Sequence, residues 1–323
     1  MNRSKSLRRL WAAACLCMGA GLASAQPGTV KILVGFPAGG APDAVARAFA
    51  DQLRLVNGAT VIVENKPGAS GKIGIDALLS SQGETETVAL IPSSVLALVP
   101  QIVKAAKYDS TRDFVALGSV AEYGFGVAAG PASGAATLAA FKDWAKQHPK
   151  ESSYATPGLG TPQHFLGAQL QKLLGIEMTH VPYKGGAAAI GDVLGGQVPI
   201  LITTEQLLVP HESQGRLKTL FITSRERNPK LPQVPTAREA GLPQLEATDW
   251  FGIFAKANTA PAKVAEWRAQ VAKVVATPQF AQAMRTMGYE VPKTQPSDFK
   301  QLLTTERAAW TERVKLSGFT ASE

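Results

Sequence analysis

Twice along this chain, a short β-branched run gives way to a Gly/Pro-rich loop and then to an Ala/Leu-rich stretch with helical spacing. The first series predicts a strand over 30–35, a helix over 42–55, a strand over 60–64, a helix over 74–80 and a strand over 87–91. The second predicts strands over 153–155, 177–181 and 198–203, with helices over 162–174 and 187–194 between them. Parallel strands must be joined by long crossovers, so this alternation implies βαβ units in an α/β fold. Thr161 before Pro162 reads as the N-cap of the helix over 162–174, with proline at a position that needs no N–H.

The stretches between the two series also carry information. Strands near 115–128 and 250–255 connect them, and a Pro-rich stretch (Pro229, Pro232, Pro235, Pro243) must run as extended loop or turns. Helices over 263–276, 278–287 and 298–315 close the chain. If those helices return to the first series, the chain crosses twice. The expected organisation is then a discontinuous first lobe, 26–124 with 250–323, around an inserted second lobe, 125–249. Two crossings make a hinge, and hinge closure around a ligand is a known mode of motion.

The N-terminus reads as an export signal. Arg3, Lys5, Arg8 and Arg9 precede a short apolar run, and Ala23-Ser24-Ala25 fits a cleavage site, so residues 1–25 are expected to be removed and the protein to be periplasmic. Removal takes four positive and no acidic residues, and the charge falls from +8 to +4. It also takes Cys15 and Cys17, the only cysteines, which leaves no disulfide, thiol nucleophile or cysteine metal site. The remaining basic residues are scattered. They exclude a nucleic-acid patch but can steer an anion.

The loops hold the candidate chemistry. Gly35-Phe36-Pro37-Ala38-Gly39-Gly40-Ala41-Pro42-Asp43 follows a strand and opens a helix. Glycines allow close backbone approach, and a helix start offers unpaired N–H groups with partial positive charge, which suits a carboxylate or phosphate. Such a loop is equally readable as a tight βα turn, with Asp43 favouring the helix dipole. Thr156-Pro157-Gly158-Leu159-Gly160-Thr161-Pro162-Gln163-His164 repeats the context in the second series and adds hydroxyls. His164 fits a structural hydrogen-bonding role better than a catalytic one. Ser93-Ser94 and Thr203-Thr204 end strands and can line the same cleft or simply cap turns. The loop 65–72 reads, taken alone, as a solvated surface turn.

Together these observations nominate Phe36, Ala38, Gly39, Gly40, Asp43, Ser93, Ser94, Thr156, Gly158, Gly160, Thr161, His164, Thr203 and Thr204 as ligand-binding residues. Gly39 and Gly40 are expected to offer N–H groups from one jaw, with Phe36 as an apolar wall. Thr156, Gly158, Gly160 and Thr161 are expected to oppose them from the other.

Enzyme templates do not fit. Gly68-Ala69-Ser70-Gly71-Lys72 has lysine where a nucleophile elbow needs its last glycine, and Ile73 where a P-loop needs a hydroxyl. The four histidines show no metal-ligand spacing. The competing reading is an exported enzyme using His164, or Tyr183 with Lys184, as acid–base groups on a small carboxylate. No base–nucleophile–orienter set supports it, and no cofactor is expected.

The loops do match a known pattern. Gly35-Phe36-Pro37-Ala38-Gly39-Gly40 with Asp43 resembles the first signature of the Bug receptors, solute-binding proteins of tripartite tricarboxylate transporters. Further signatures of the same family are resembled by Asn65-Lys66-Pro67-Gly68-Ala69 with Gly71 and Gly74, His180-Val181-Pro182-Tyr183-Lys184-Gly185-Gly186, Leu194-Gly195-Gly196-Gln197-Val198, Leu231-Pro232-Gln233-Val234-Pro235-Thr236 and Glu239-Ala240-Gly241-Leu242-Pro243. The resemblance implies a two-lobed type II periplasmic-binding-protein fold with a hinge and an interlobe cleft. It further implies a carboxylate ligand held by backbone, hydroxyls and waters, and partners that are membrane transporter subunits or a sensor domain; a monomer is expected. Two departures stand out: Ala41-Pro42 replaces the Gly-Thr common in that family, and Thr203-Thr204 replaces a frequent Asp-Ser. The missing carboxylate at position 203 argues against a ligand that carries an ammonium group.

Overall fold

The computed structural model describes residues 28–82, 86–292, 295 and 298–319. The expected signal peptide, with Cys15 and Cys17, lies outside them. Nine strands occur among the described residues: β1 (Thr29–Val34), β2 (Thr60–Asn65), β3 (Glu86–Pro92), β4 (Phe114–Ala129), β5 (Ser153–Thr156), β6 (Thr179–Pro182), β7 (Ile200–Thr204), β8 (Lys218–Ile222) and β9 (Thr248–Lys256).

The two sequence series fold as two units of the same topology. β1 pairs in parallel with β2 on one side and β3 on the other. β5 pairs in parallel with β6 and β7 in the same way. Each unit thus has its first strand in the middle, and the carboxyl ends of first and third strands lie side by side. In open α/β sheets that is where ligands bind.

The helices are set by their apolar spacing. In Ala41–Asn57, Val45, Ala46, Phe49, Ala50 and Leu53 are buried, at the i, i+4, i+8 recurrence of one helical face. Gly58, left-handed at φ 71°, ends the helix and donates its N–H to Arg54 O. Phe49 meets Phe280 of the helix Pro278–Met287 edge to face, with ring centroids 6.2 Å apart. Fully burying one such side chain stabilises by about 1.5–3 kcal/mol.

β4 joins the units. Its residues Phe114–Gly124 pair with β9, which also pairs with β3. From Phe125 onward its partners are β7 and β8. The helices Pro261–Val275 and Pro278–Met287 pack back on the first unit: Trp267, Val271, Val274 and Phe280 are buried in one core with Ile32, Val45 and Phe49. Among the described residues, no helix is long and apolar enough to cross a membrane.

Candidate ligand-binding site

The first loop leaves β1 and is organised by one carboxylate. Asp43 is buried, and its Oδ2 accepts the Gly39 N–H at 2.9 Å and Arg47 Nε at 2.9 Å. Its Oδ1 accepts Asn65 Nδ2 at 3.0 Å, and the same amide nitrogen donates to Phe36 O at 3.1 Å. Burial pushes the Asp43 carboxyl up, but the bonds from Arg47, Gly39 and Asn65 outweigh it and hold the group below the ordinary aspartate range.

This corrects the expectation for two donors. The Gly39 N–H is engaged by Asp43, and the Gly40 N–H donates to Pro37 O at 3.2 Å. The amides of Ala38, Ala41 and Asp43 have no hydrogen-bond partner among the described residues, and the last two belong to the first turn of a helix, where no intrahelical acceptor exists. The donors this loop can offer to an anion are therefore one residue before the glycines and one to three residues after them.

The stretch 65–72 is exposed at 67–69, as expected of a surface turn, but its two ends make structural contacts. Asn65 ties the first loop, and the glycines beyond it let the backbones touch. A Cβ on Gly74 would lie 2.6 Å from Gly35 Cα, and one on Gly35 would lie 2.7 Å from Gly71 O. Ala69 (φ 47°) and Ser70 (φ 53°) both sit in the left-handed region, at a cost of roughly 1–3 kcal/mol each. Ser70 Oγ donates to Leu159 O at 2.6 Å, so this turn reaches the second unit's loop. Gly160 of that loop packs so closely on the first unit that a Cβ there would lie 2.5 Å from Ile102 Cδ1.

The second loop leaves β5 and is organised by hydroxyls and imidazoles. Thr156 is fully buried; its Oγ1 lies 2.7 Å from His180 Nε2 and donates to Gly158 O at 3.1 Å. Thr161 holds the N-cap position of the helix Pro162–Leu174 with no side-chain cap bond. Its hydroxyl donates instead to Gly158 O at 2.9 Å, while the His164 N–H is taken by the Thr161 carbonyl. The expected cap is thus a loop clamp. His164 and His180 stack with centroids 4.0 Å apart, and His164 Nδ1 accepts the Gly160 N–H at 3.4 Å. Burial lowers them to about 4 and about 3, so both rings are neutral near pH 7 and serve as structural hydrogen-bonding groups, His164 accepting from Gly160 and His180 Nε2 free to donate to Thr156 Oγ1.

The strand ends divide. Ser93 does not present its hydroxyl to a cleft: its Oγ donates to Asp249 Oδ1 at 2.8 Å, and the Ser94 N–H reaches the same oxygen at 3.3 Å. Asp249 is a buried carboxylate and demands such donors. Thr204 is buried beside Tyr289. Thr203 is also fully buried, and its Oγ1 has no partner among the described residues. It abuts Gly186, where a Cβ would come within 3.0 Å of it, at the start of the helix Gly186–Leu194.

Comparison with known proteins decides the family. Residues 45–318 match the model of the tripartite tricarboxylate transporter family receptor. The chain belongs to that family. Three solved structures resemble it closely. The periplasmic binding protein BugD has a TM-score of 0.83 and 29% identity, covering 90% of this chain and 98% of its own. Rpa4515 from R. palustris, solved with adipate, has a TM-score of 0.84 and 26% identity, covering 90% and 98%. MatC from Rhodopseudomonas palustris, solved with bound malate, has a TM-score of 0.80 and 27% identity, covering 88% and 98%.

The chain therefore has the periplasmic-binding-protein fold, and its family is one of solute receptors, not enzymes. In this receptor, two groups of the enzymatic alternative have other partners: Tyr183 donates its hydroxyl to Asp192 Oδ2 at 2.7 Å, and His164 is held in the histidine stack. Sequence reading missed Asn65, Ser70 and His180 as site-building residues. The signal available was the Asn65 to Gly74 signature, whose glycines report a backbone contact rather than a turn.

Proposed function

We propose that this receptor is exported by residues 1–25 and captures a small dicarboxylate in the periplasm as a monomer. In this reading the residues 26–124 with 250–323 and 125–249 form two lobes, and the occupied receptor hands its ligand to the membrane subunits of a tripartite transporter or presents it to a sensor domain. The observation that carries the proposal is the juxtaposition of the two loops. Ser70 and Gly71 touch both of them, so the free amides of Ala38, Ala41 and Asp43 and the second loop share one end of the molecule. An anion held there is neutralised by N–H dipoles and hydroxyls, without a buried ion pair.

The nominated residues then fall into two roles. Phe36, Ala38 and the helix start line the ligand from one side, and Gly158, Gly160 and the helix start behind Thr161 do so from the other. Gly39, Gly40, Asp43, Ser93, Ser94, Thr156 and His164 shape the site through its own backbone and carboxylates. Thr203 with the amides at the start of Gly186–Leu194 supplies a second anion subsite, since a buried hydroxyl without a partner beside a helix N-terminus favours negative charge and gives an ammonium group no counter-ion. Malate- and adipate-bound relatives support a ligand with two carboxylates.

A thermal-shift panel tests this. Malate and adipate are expected to raise Tm, because a ligand at about 100 times its Kd adds about 2.7 kcal/mol to the native state. Amino acids and cationic amines are expected to leave Tm unchanged. A response confined to amines or amino acids would overturn the proposal.

A further inference from the structure

The C-terminal helix Phe299–Ser317 lies across both βαβαβ units. Leu303 is buried among Ile75, Leu78, Val95 and Trp250 of the first unit. Two turns further on, Trp310 is buried with Ala97, Leu98 and Ile102 and with Phe165 of the second. Arg313 NH2 donates to Glu246 O at 2.7 Å, and Lys172 Nζ donates to Leu316 O. Residues 303, 306 and 310 share one helical face. Between the two apolar anchors, that face therefore carries an acid.

Glu306 Oε1 accepts Trp250 Nε1 at 2.7 Å, and its Oε2 is buried without a hydrogen-bond partner. The carboxylate of Asp249 faces it from β9. Asp249 takes Ser93 Oγ at 2.8 Å, the Ser94 N–H at 3.3 Å, the Trp250 N–H at 2.7 Å and Tyr123 OH at 2.9 Å. The groups facing Glu306 are thus Asp249 and Trp250 from β9, Ser93 from the short helix Ser93–Ala97 and Tyr123 from β4. No lysine or arginine forms an ion pair with either carboxylate among the described residues. Burial raises both acids, but four donors oppose it at Asp249. Glu306 has fewer donors and a like charge beside it, which pushes it up to about 7.

We propose that the helix Phe299–Ser317 is a proton-dependent brace, which holds the two units together while Glu306 is neutral and loosens when Glu306 ionises beside Asp249. The sign follows from linkage. A carboxyl whose seated form binds its proton more tightly stabilises that form fully at acid pH, and the contribution is lost as pH rises through the seated value. The helix then ties the two units together more firmly in a mildly acidic medium than in an alkaline one. This device is independent of which ligand occupies the site.

Amide hydrogen exchange on the full chain tests it, at pH 6 and pH 8, with rates corrected for the intrinsic dependence on hydroxide. In the wild type, protection of residues 304–317 is expected to fall at least roughly tenfold between these values, the loss read when the seat of one acid is removed. Glu306→Gln, neutral at both, is expected to keep its pH 6 protection at pH 8, and Glu306→Asp to retain the pH response. Equal pH responses in wild type and Glu306→Gln would overturn the proposal. Should Glu306→Gln fail to fold, infrared titration of the wild type labelled with ¹³C-glutamate decides. A protonated glutamic acid that ionises between pH 6 and 8 is expected, and the absence of any such group refutes the brace.

Discussion

The two glycine-rich loops occupy the same place in two units of the same topology, yet they are built from different chemistry. The loop after β1 is shaped by a charge: Asp43 gathers an amide, a guanidinium and the Asn65 side chain. The loop after β5 is shaped by neutral groups, two threonine hydroxyls converging on one carbonyl and a pair of stacked imidazoles. A charged organiser forms stronger hydrogen bonds but must stay ionised, whereas the neutral one is weaker and needs its buried imidazoles to stay uncharged. Each loop therefore has its own acid limit: the first fails when Asp43 is protonated, and the second weakens at a higher pH, once acid favours charging its buried imidazoles.

Removing the charged organiser should have the largest effect. Asp43→Ala leaves the Gly39 N–H and Asn65 without their acceptor, and hydrogen bonds to a charged group contribute about 1.5–3 kcal/mol each. Arg47 is half-exposed and adds little. A loss of about 3 kcal/mol in urea unfolding is expected, together with loss of the malate or adipate response. Because the native Asp43 carboxyl lies below its ordinary range, its stabilisation is present above about pH 4 and disappears as pH falls through the depressed value. The gap between wild type and Asp43→Ala should accordingly narrow in acid. A gap that stays constant with pH would show that Asp43 acts by packing alone.

Thr156→Val is the matching break in the neutral jaw. It keeps the volume but strips His180 Nε2 and Gly158 O of their partner, for an expected loss of about 1–2 kcal/mol that does not vary between pH 6 and 8. Wild-type stability in this variant would place the organisation of the loop on Thr161 and the histidine stack instead.

Thr161→Ala should have the smallest effect. Thr277 is a true side-chain cap, accepting the Phe280 N–H at 3.2 Å, and its replacement by alanine costs about 1 kcal/mol. Thr161 donates to a loop carbonyl, so Thr161→Ala is expected to cost less than Thr277→Ala while weakening dicarboxylate binding more. Calorimetry on the two variants side by side reads both quantities, and the reverse order would restore Thr161 to the role of a cap.

These distinctions bear on what a sequence can reveal. The alternation of strands and helices was legible because it rests on local periodicity, and Pro162, Gly58 and Gly288 mark boundaries by their own backbone chemistry. The position of the loops was legible for the same reason. How each polar group is used was not. Ser93 looked free to bind a ligand because its acceptor, Asp249, lies 156 residues away. Thr161 looked like a cap because its sequence context is that of a cap, but the hydroxyl has a nearer acceptor in Gly158 O. The Gly39 amide was assigned to a ligand although Asp43, only four residues on, already claims it. Spacing tells which residues meet, and the competition among donors and acceptors in three dimensions tells what each of them does.

The place of β9 in the sheet has a consequence for the order in which the molecule can be made. β9 lies between β3 and β4, and it is the last strand to emerge. Until Thr248–Lys256 leaves the ribosome, the β3 edge facing β9 has no neighbour, although all of β1, β2 and β3 has long been synthesised. A strand edge without its partner neither satisfies its backbone nor closes its core, and pairing at such sequence distance is slow. The first unit can therefore complete its sheet only once residues 248–256 have been made, long after β1, β2 and β3.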